Sequence, residues 1–263
     1  MNFAPDMSAM NINFKAIVSS DWNECLSPCG PFDFISFIYP ELESDLDSIF
    51  KQYTGNIISL GEAAQKIQEL LPGSITEDHL DAYLDTSFVT YTGVADLIEW
   101  CLERGVLFMI NTTGMIGYFQ RVFAKGLLPT VPVLSAHPMV RYAHQETDPL
   151  QVFDLFEIHD KSKNTRAVAD RFNIPGEKII LMGDSGGDGP HFEWGAQINA
   201  FLIGSMPKPS LEKYCQLKGI DIDLRFGFCY AAGDEKDPKQ EMQTDFRDLS
   251  PLIEKFLNRQ SSG

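Results

Sequence analysis

Apolar residues along the chain fall into two kinds of run. Short, continuous runs rich in β-branched residues occur at residues 14–20 and 106–110, with others near 131–134, 178–182, 200–203 and 224–228. Their length and composition suit buried strands. Between them the spacing turns helical: Leu42, Leu46, Ile49, Phe50 and Tyr53 share one face, and Ala63, Ile67, Leu70 and Leu71 another. A third helix starts near Ser74 with Thr76 as its cap and runs through Leu80, Tyr83 and Leu84. Further helices are predicted through Val94, Leu97, Ile98 and Cys101, stopped by Gly105; through Tyr118, Val122 and Phe123; over 165–172; and over about 246–257. Strands alternating with helices predict an α/β fold around a mainly parallel sheet. Residues 1–13 and the last four carry no usable period and read as a loose leader and a frayed tail.

Charge narrows the function classes. The chain has 263 residues, with 21 Lys plus Arg against 37 Asp plus Glu, a formal net charge of −16. With no basic stripe to offset that charge, a nucleic-acid backbone would be repelled, so no nucleic-acid partner is expected. No apolar run has the length of a membrane span, and the start MNFAPDMSAMN lacks the basic and apolar parts of a secretory signal. The expectation is a cytoplasmic protein with no membrane partner. Five scattered cysteines with no CxxC pair argue against a disulfide framework or a zinc site.

In open α/β sheets ligands bind beyond the carboxyl ends of the strands, so those ends are where chemistry is sought. The first strand runs into Asp21-Trp22-Asn23-Glu24-Cys25, the second into Asn111-Thr112-Thr113-Gly114, and a later one into Gly183-Asp184-Ser185-Gly186-Gly187-Asp188; His159-Asp160-Lys161-Ser162-Lys163 lies at the start of a helix. Asp21, Asp184 and Asp188 offer the hard oxygen ligands that suit Mg²⁺. Thr112 and a lysine complete a set able to hold phosphate oxygens, with Asp21 free to act as an aspartyl nucleophile.

In this order the segments KAIVSSDWNEC, GVLFMINTTG, HDKSKNT and KIILMGDSGGD resemble the four motifs of the haloacid dehalogenase-like superfamily, over residues 14–260. Within it, ISLGEAAQKIQELLPGSITEDHLDAYL and MPKPSLEKYC resemble the branch of the phosphoserine and methylthiopentenyl-phosphate phosphatases. The resemblance implies a Rossmann-like core of residues 14–25 and 93–260, a helical C1 cap over 26–92, and Mg²⁺-dependent hydrolysis of a small phosphorylated metabolite. It further implies that Asp21 attacks phosphorus, that the metal is held by Asp21, the Asn23 carbonyl, Asp184 and Asp188, and that Thr112, with Thr113 and Gly114 beside it, binds phosphoryl oxygens. Lys161 would neutralise charge, with Lys163 as the alternative. An anionic substrate approaching so acidic a chain would then depend on the metal and Lys161 locally.

One departure stands out. The second Asp of the first motif, which the resemblance would assign as proton donor and water activator, is here Asn23, and Cys25 replaces the usual Thr. An amide cannot exchange a proton in the working pH range, and acid–base catalysis contributes about 10²- to 10⁴-fold. Slow turnover is therefore expected, and a weakened scaffold that binds a phosphorylated ligand or a protein is the alternative. Glu24 is the nearest spare carboxylate. The segment GDSGG also matches the nucleophile segment of trypsin-like proteases, with Ser185 as nucleophile, but α/β alternation opposes that reading. A calcium loop starting at Asp184 would put Gly186 and Gly195 where oxygen ligands are needed. The aromatics Phe32, Phe34, Phe37 and Tyr39 either line a substrate entrance or pack.

Overall fold

The computed structural model describes residues 13–54, 57–234 and 236–259; residues 1–12 of the expected leader and the last four residues lie outside them. Seven strands form one parallel sheet: β1 (Ala16–Ser20), β2 (Val106–Met115), β3 (Val133–His137), β4 (Gln151–Asp154), β5 (Ile179–Gly183), β6 (Phe201–Ser205) and β7 (Leu224–Phe226). Their order is β4-β3-β2-β1-β5-β6-β7, with register fixed by pairs such as Val18 with Phe108 and Val18 with Ile180. The chain builds outward from β1 to β4, then returns to place β5 on the other side of β1. That reversal opens a crevice beyond the ends of β1 and β5, the usual place for a ligand in such sheets.

Eleven helices accompany the strands among the described residues: α1 (Asp33–Ile38), α2 (Glu43–Thr54), α3 (Leu60–Leu70), α4 (Glu77–Ser87), α5 (Val94–Glu103), α6 (Ile116–Ala124), α7 (Asp160–Phe172), α8 (Gly189–Gln197), α9 (Pro209–Lys218), α10 (Pro238–Glu241) and α11 (Leu249–Arg259). Every residue of β1 and β5 is buried, because helices cover both faces of the sheet and successive side chains point to opposite ones. Val18, Phe108, Ile110, Ile180 and Met182 face one cluster with α5, α6 and α11; Ile17, Leu107, Met109, Ile179 and Leu181 face another with α7, α8 and α9. The first cluster continues without a break into α1–α4 through Trp22, Phe34, Tyr83 and Tyr118. The segment between β1 and α5 thus packs over the carboxyl ends of β1 and β2. No helix among the described residues is long and apolar enough to cross a membrane.

The sequence pattern and the structure differ at instructive places. Thr76 does cap α4: its Oγ1 accepts from the His79 amide at 3.2 Å while His79 Nδ1 accepts from the Thr76 amide at 3.3 Å. The third strand starts at Val133 and not at 131, since Pro132 has no N–H to place in a ladder. β2 runs on to Met115 with a register shift between Asn111 and Met115, so Thr112 and Gly114 lie on the strand itself. α7 begins at Asp160 and not at 165, placing Lys161 in its first turn. β4, α8 and α9 carry little periodic signal: β4 is a four-residue edge strand, and α8 contains two glycines and a proline and is buried on several sides.

Candidate active site

The ends of two strands, β1 and β5, deliver carboxylates to one point. The Asp21 amide donates to the Met182 carbonyl at 3.0 Å, which holds Asp21 level with the end of β5. Beyond β5 a tight turn folds Asp188 back against Gly183: a Cβ on Gly183 would stand 2.5 Å from Asp188 Cγ, so only glycine admits this turn. Asp188 Oδ2 accepts from the amides of Asp184 at 3.0 Å and Ser185 at 3.2 Å. Asp21, Asp184 and Asp188 each place a carboxylate oxygen within 4.8 Å of the other two.

Lys161 is the counter-ion of Asp21 and Asp188. Its ammonium lies 2.6 Å from Asp188 Oδ1 and 3.1 Å from Asp21 Oδ2, and the residue is 1% exposed. The first turn of α7 that carries it is clamped from below: the Lys161 carbonyl accepts from Asn111 Nδ2 and Thr165 Oγ1, both at 2.9 Å. Thr165 Oγ1 in turn lies 3.0 Å from Ser19 Oγ and 3.1 Å from His191 Nε2. Lys163 instead points outward to Asp160 at 2.9 Å, its side chain 63% exposed.

Burial sets the titration behaviour, and charge then modifies it. It pushes the Asp21 carboxyl up, with Lys161 pulling back and Asp188 pushing further. It pushes Asp184 up to about 8, against the pull of Lys208 and with the help of Asp188 and Asp21. Asp188 is drawn down despite its burial, by Lys161 and its amide donors. Burial works against the Lys161 charge, but Asp188 and Asp21 outweigh it and hold the ammonium protonated.

Two lysines to which the sequence reading assigns no role complete the charge network. Lys208 Nζ lies 2.7 Å from Asp184 Oδ2 and also pairs with Glu24, whose other oxygen is 2.6 Å from Lys236 Nζ. Lys208 precedes Pro209 at the start of α9, the one local signal that its backbone is fixed; nothing near Lys236 in sequence marks it. Glu24 has a left-handed backbone at φ 58°. Its burial would raise its carboxyl, but the two lysines hold it below the ordinary range. It is therefore an ion-pair anchor and no stand-in proton donor. Four carboxylates meet three lysines here, and Asp184 Oδ2, although close to Lys208, accepts no well-aligned hydrogen bond. An excess of converging carboxylate oxygen with a poorly satisfied buried lone pair fits a hard divalent cation.

The other flank of Asp21 is different in kind. Asn23 Nδ2 donates to the Cys29 carbonyl at 3.2 Å, while its Oδ1 is buried with no partner. A Cβ on Gly114 would come 3.3 Å from that oxygen and 3.5 Å from Thr112 Oγ1. Thr112 is fully buried and its hydroxyl accepts from the Gly114 amide at 3.1 Å; Thr113, beside it, is partly buried. Tyr53 of α2 feels the charges of Lys161, Asp21 and Asp188, and burial pushes its phenol up to about 12. Ser185 caps the turn before α8, its side chain accepting from the Asp188 amide, which is a structural duty unlike that of a hydrolase nucleophile. Cys25 is fully buried, its Sγ 3.7 Å from Ser20 Oγ.

No protein-family model matches the chain. A phosphoserine phosphatase solved as a phospho-aspartyl intermediate analogue shares its architecture with a TM-score of 0.63 at 16% identity, over 91% of this chain and 99% of that one. A HAD family hydrolase from Salmonella enterica serovar Typhi gives a TM-score of 0.62 at 16% identity, over 84% of this chain and 70% of the other. The chain has the haloacid dehalogenase-like (HAD) fold. Cytosolic 5′-nucleotidase IIIB bound to cytidine is a more distant likeness, with a TM-score of 0.56 at 15% identity, over 94% of this chain and 88% of that one. In sequence, the chain is similar to a 2-hydroxy-3-keto-5-methylthiopentenyl-1-phosphate phosphatase from Brevibacillus brevis, 28% identical over 97 residues. That match spans 37% of this chain and 41% of the relative.

Within the HAD fold of this chain, Lys161 lies at hydrogen-bonding distance from Asp21 and Asp188, the Asp184 carboxylate is within 4.8 Å of both, Gly114 stands beside Asn23 and Thr112, and Lys163 lies apart. Lys208 and Lys236 add positive charge beside Lys161; non-local folding brings them to Glu24 from 184 and 212 positions along the chain.

Proposed function

We propose that the chain is a Mg²⁺-dependent phosphomonoesterase acting on a small phosphorylated metabolite through a phosphoryl group carried on Asp21, with residues 26–92 as the cap over the site. The observation that supports it most is the contact of Lys161 with both Asp21 and Asp188 at the crevice where three carboxylates converge. Asp21 with its backbone-anchored Asp188 and Asp184, and the Asn23 carbonyl, would hold Mg²⁺, which supplies charge neutralisation for the phosphoryl oxygens. Lys161 fixes the Asp21 carboxylate and shares its charge with the incoming phosphate. Thr112 and the backbone around Thr113 and Gly114 bind the remaining oxygens.

The Asp21 carboxylate oxygen forms a bond to phosphorus as the ester oxygen leaves with its electron pair, and water later cleaves the acyl phosphate to return Asp21 and release phosphate. The departing alkoxide must take its proton from solvent or from the substrate itself, since Asn23 has none to give and Glu24 is tied up. Good leaving groups therefore turn over fastest. Asn23 also favours a second reading, a scaffold that binds a phosphorylated ligand without turnover. The proposed setting is the cytoplasm, with no nucleic acid or membrane as partner. Phosphate release from p-nitrophenyl phosphate, with Mg²⁺ and with chelator, tests the proposal: release only with the metal is expected. Calorimetric Mg²⁺ binding without any release would favour the scaffold.

A further inference from the structure

The segment between β1 and α5 is fastened to the core unevenly. Its two crossings, residues 26–29 leaving β1 and 88–93 entering α5, are bonded to each other and to the C-terminal part of the chain. Ser27 Oγ donates to the Val89 carbonyl at 2.8 Å, and the Tyr91 amide to the Leu26 carbonyl at 3.1 Å. The Tyr91 hydroxyl donates at 2.8 Å to Glu241, which is 2% exposed and takes the Tyr230 hydroxyl on its other oxygen. Lys236 Nζ donates to the Pro28 carbonyl at 2.9 Å, and the Phe246 amide to the Thr92 carbonyl at 2.7 Å. A rigid swing about these crossings would strip a buried carboxylate of its donors, which is costly.

Helices α1 and α4 are held as firmly. Arg121 of α6 grips Asp81 with two donors, one on each oxygen at 2.8 Å, and lies 2.5 Å from Glu77. Its side chain is 13% exposed, so water screens this fork little. Lys125 lies 2.7 Å from Asp85, and the Tyr142 hydroxyl donates to the Ile75 carbonyl at 3.1 Å. Phe34 of α1 and Tyr83 of α4 share the wall of a cavity beside Asn23 with Tyr118 of α6, their rings 6.1 and 6.4 Å from its own.

Helices α2 and α3 lack such ties. Among the described residues, one hydrogen bond joins them to the core: the Gly61 amide donates to Glu157 Oε1 at 3.2 Å. Gly61 is the second residue of α3, whose first N–H groups have no partner inside the helix, and a carboxylate there also meets the positive end of the helix dipole. Apolar contacts such as Phe50 with Phe32, ring centroids 5.9 Å apart, complete the seat of α2, and such contacts are not directional. Glu157 stands on the turn that delivers Lys161: Asp160 Oδ2 accepts from the amides of Phe156 at 3.1 Å and Glu157 at 3.0 Å. From α2, the half-buried Tyr53 reaches into the field of Lys161, Asp21, Asp188 and Glu157.

We infer that Glu157 is a positioning residue: its bond to Gly61 holds α2 and α3 over the Asp21 crevice, and these two helices move to admit a ligand while α1, α4 and both crossings stay with the core. The covering segment thus opens by one half and not as a single body. A ligand that binds only under the closed half pays for closure when Glu157 is lost, and a saturating ligand restores it, so the loss falls on KM and not on kcat.

Thiol labelling of the full chain with iodoacetamide, resolved by peptide mass spectrometry, tests the motion without requiring turnover. In Tyr53→Cys, the thiol at position 53 should label on the order of 10-fold faster once Glu157→Ala is added, the loss of one charge-assisted hydrogen bond. Glu157→Gln, which keeps an acceptor for Gly61, should leave that rate near the parent value. Native Cys25 and Cys29, on the outgoing crossing, should keep their rates in every variant. Rates at position 53 and Cys29 rising together would overturn the divided opening, and an unchanged rate at position 53 would overturn the role of Glu157. With p-nitrophenyl phosphate and Mg²⁺, Glu157→Ala alone should raise KM about 10-fold and leave kcat within about twofold, with most of the KM restored in Glu157→Gln. An unchanged KM, or an equal loss in kcat, overturns the positioning role. The kinetic arm rests on the phosphomonoesterase reading; if nothing is hydrolysed, that reading falls and the labelling rates still decide the inference.

Discussion

The two flanks of Asp21 are built on opposite principles. On one, Lys161, Asp184 and Asp188 are buried and pair with one another and with the partly exposed Lys208, Asp188 being held by backbone donors and the Lys161 turn by the Asn111–Thr165–His191 cluster. On the other, aromatic rings surround an amide oxygen without a partner. The first flank suits a phosphoryl group, whose charge is fixed and whose geometry is demanding. The second, with Asn23 where a carboxyl would be needed, offers no proton. Under the proposed function, binding of the transferred group and assistance to the leaving group are separated in space, and only the former has charged groups to serve it.

The sharpest way to break this comparison is to remove the nucleophile. Asp21→Asn should lower phosphate release by on the order of 10⁴-fold or more, measured with p-nitrophenyl phosphate, and a smaller fall would place the covalent step elsewhere. Next comes the charged flank: Lys161→Met should cost about 10²- to 10³-fold in kcat. It should also destabilise the fold by about 3–5 kcal/mol in denaturant titrations, since it leaves the buried Asp21 and Asp188 without their cation. An activity loss without a stability loss would mean the ion pairs seen around Lys161 matter only in the reaction.

Much of the site is legible in the sequence, because its residues sit at the ends of apolar runs where a parallel sheet must place them: Asp21 after β1, Thr112 on the continuation of β2, Asp184 and Asp188 after β5. Choosing between Lys161 and Lys163 requires the start of α7. The helix begins five residues before its apolar period does, and a shift of two positions around a helix turns one lysine inward and the other out. The pairing of Lys208 and Lys236 with Glu24 could not be read, although Lys208 lies in the quoted segment MPKPSLEKYC, because their partner is far away in sequence. The aromatic flank was legible only as a choice between lining and packing, and it does both: Phe34 is buried in the shared core and walls the cavity, while Phe37 is 44% exposed.

The aromatic flank gives a gain where the charged flank gives losses. Asn23→Asp should raise kcat on alkyl phosphates by about 10- to 10²-fold, part of the range available to acid–base catalysis. It should do little for p-nitrophenyl phosphate, whose leaving group needs no proton. An equal effect on both would show that the new carboxylate acts through the metal and not as an acid.

The smallest effect concerns the clamp beneath Lys161. His191 is fully enclosed, and burial, reinforced by the Lys161 charge and opposed by Asp188, lowers its pKa to about 3. Above about pH 6.5, the ordinary histidine value, neither folded nor unfolded chain binds the proton and the contribution to stability is complete. As pH falls toward 3 the unfolded chain takes up the proton first, so stability declines through that window, by a few kcal/mol in all. Urea titrations from pH 7 to pH 4 should show that decline, and His191→Gln, which keeps a partner for Thr165 without titrating, should flatten it. An unchanged slope would assign the acid sensitivity to the carboxylates.

The central claim is that Asp21 carries the phosphoryl group and that nothing nearby hurries its departure. Intact-protein mass spectrometry after rapid acid quench, during turnover of p-nitrophenyl phosphate with Mg²⁺, tests it most directly. The expected result is a species heavier by one phosphoryl group, located on the peptide containing Asp21, absent in Asp21→Asn and less abundant in Asn23→Asp. Turnover with no such species, or with the added mass on Ser185, would contradict the claim.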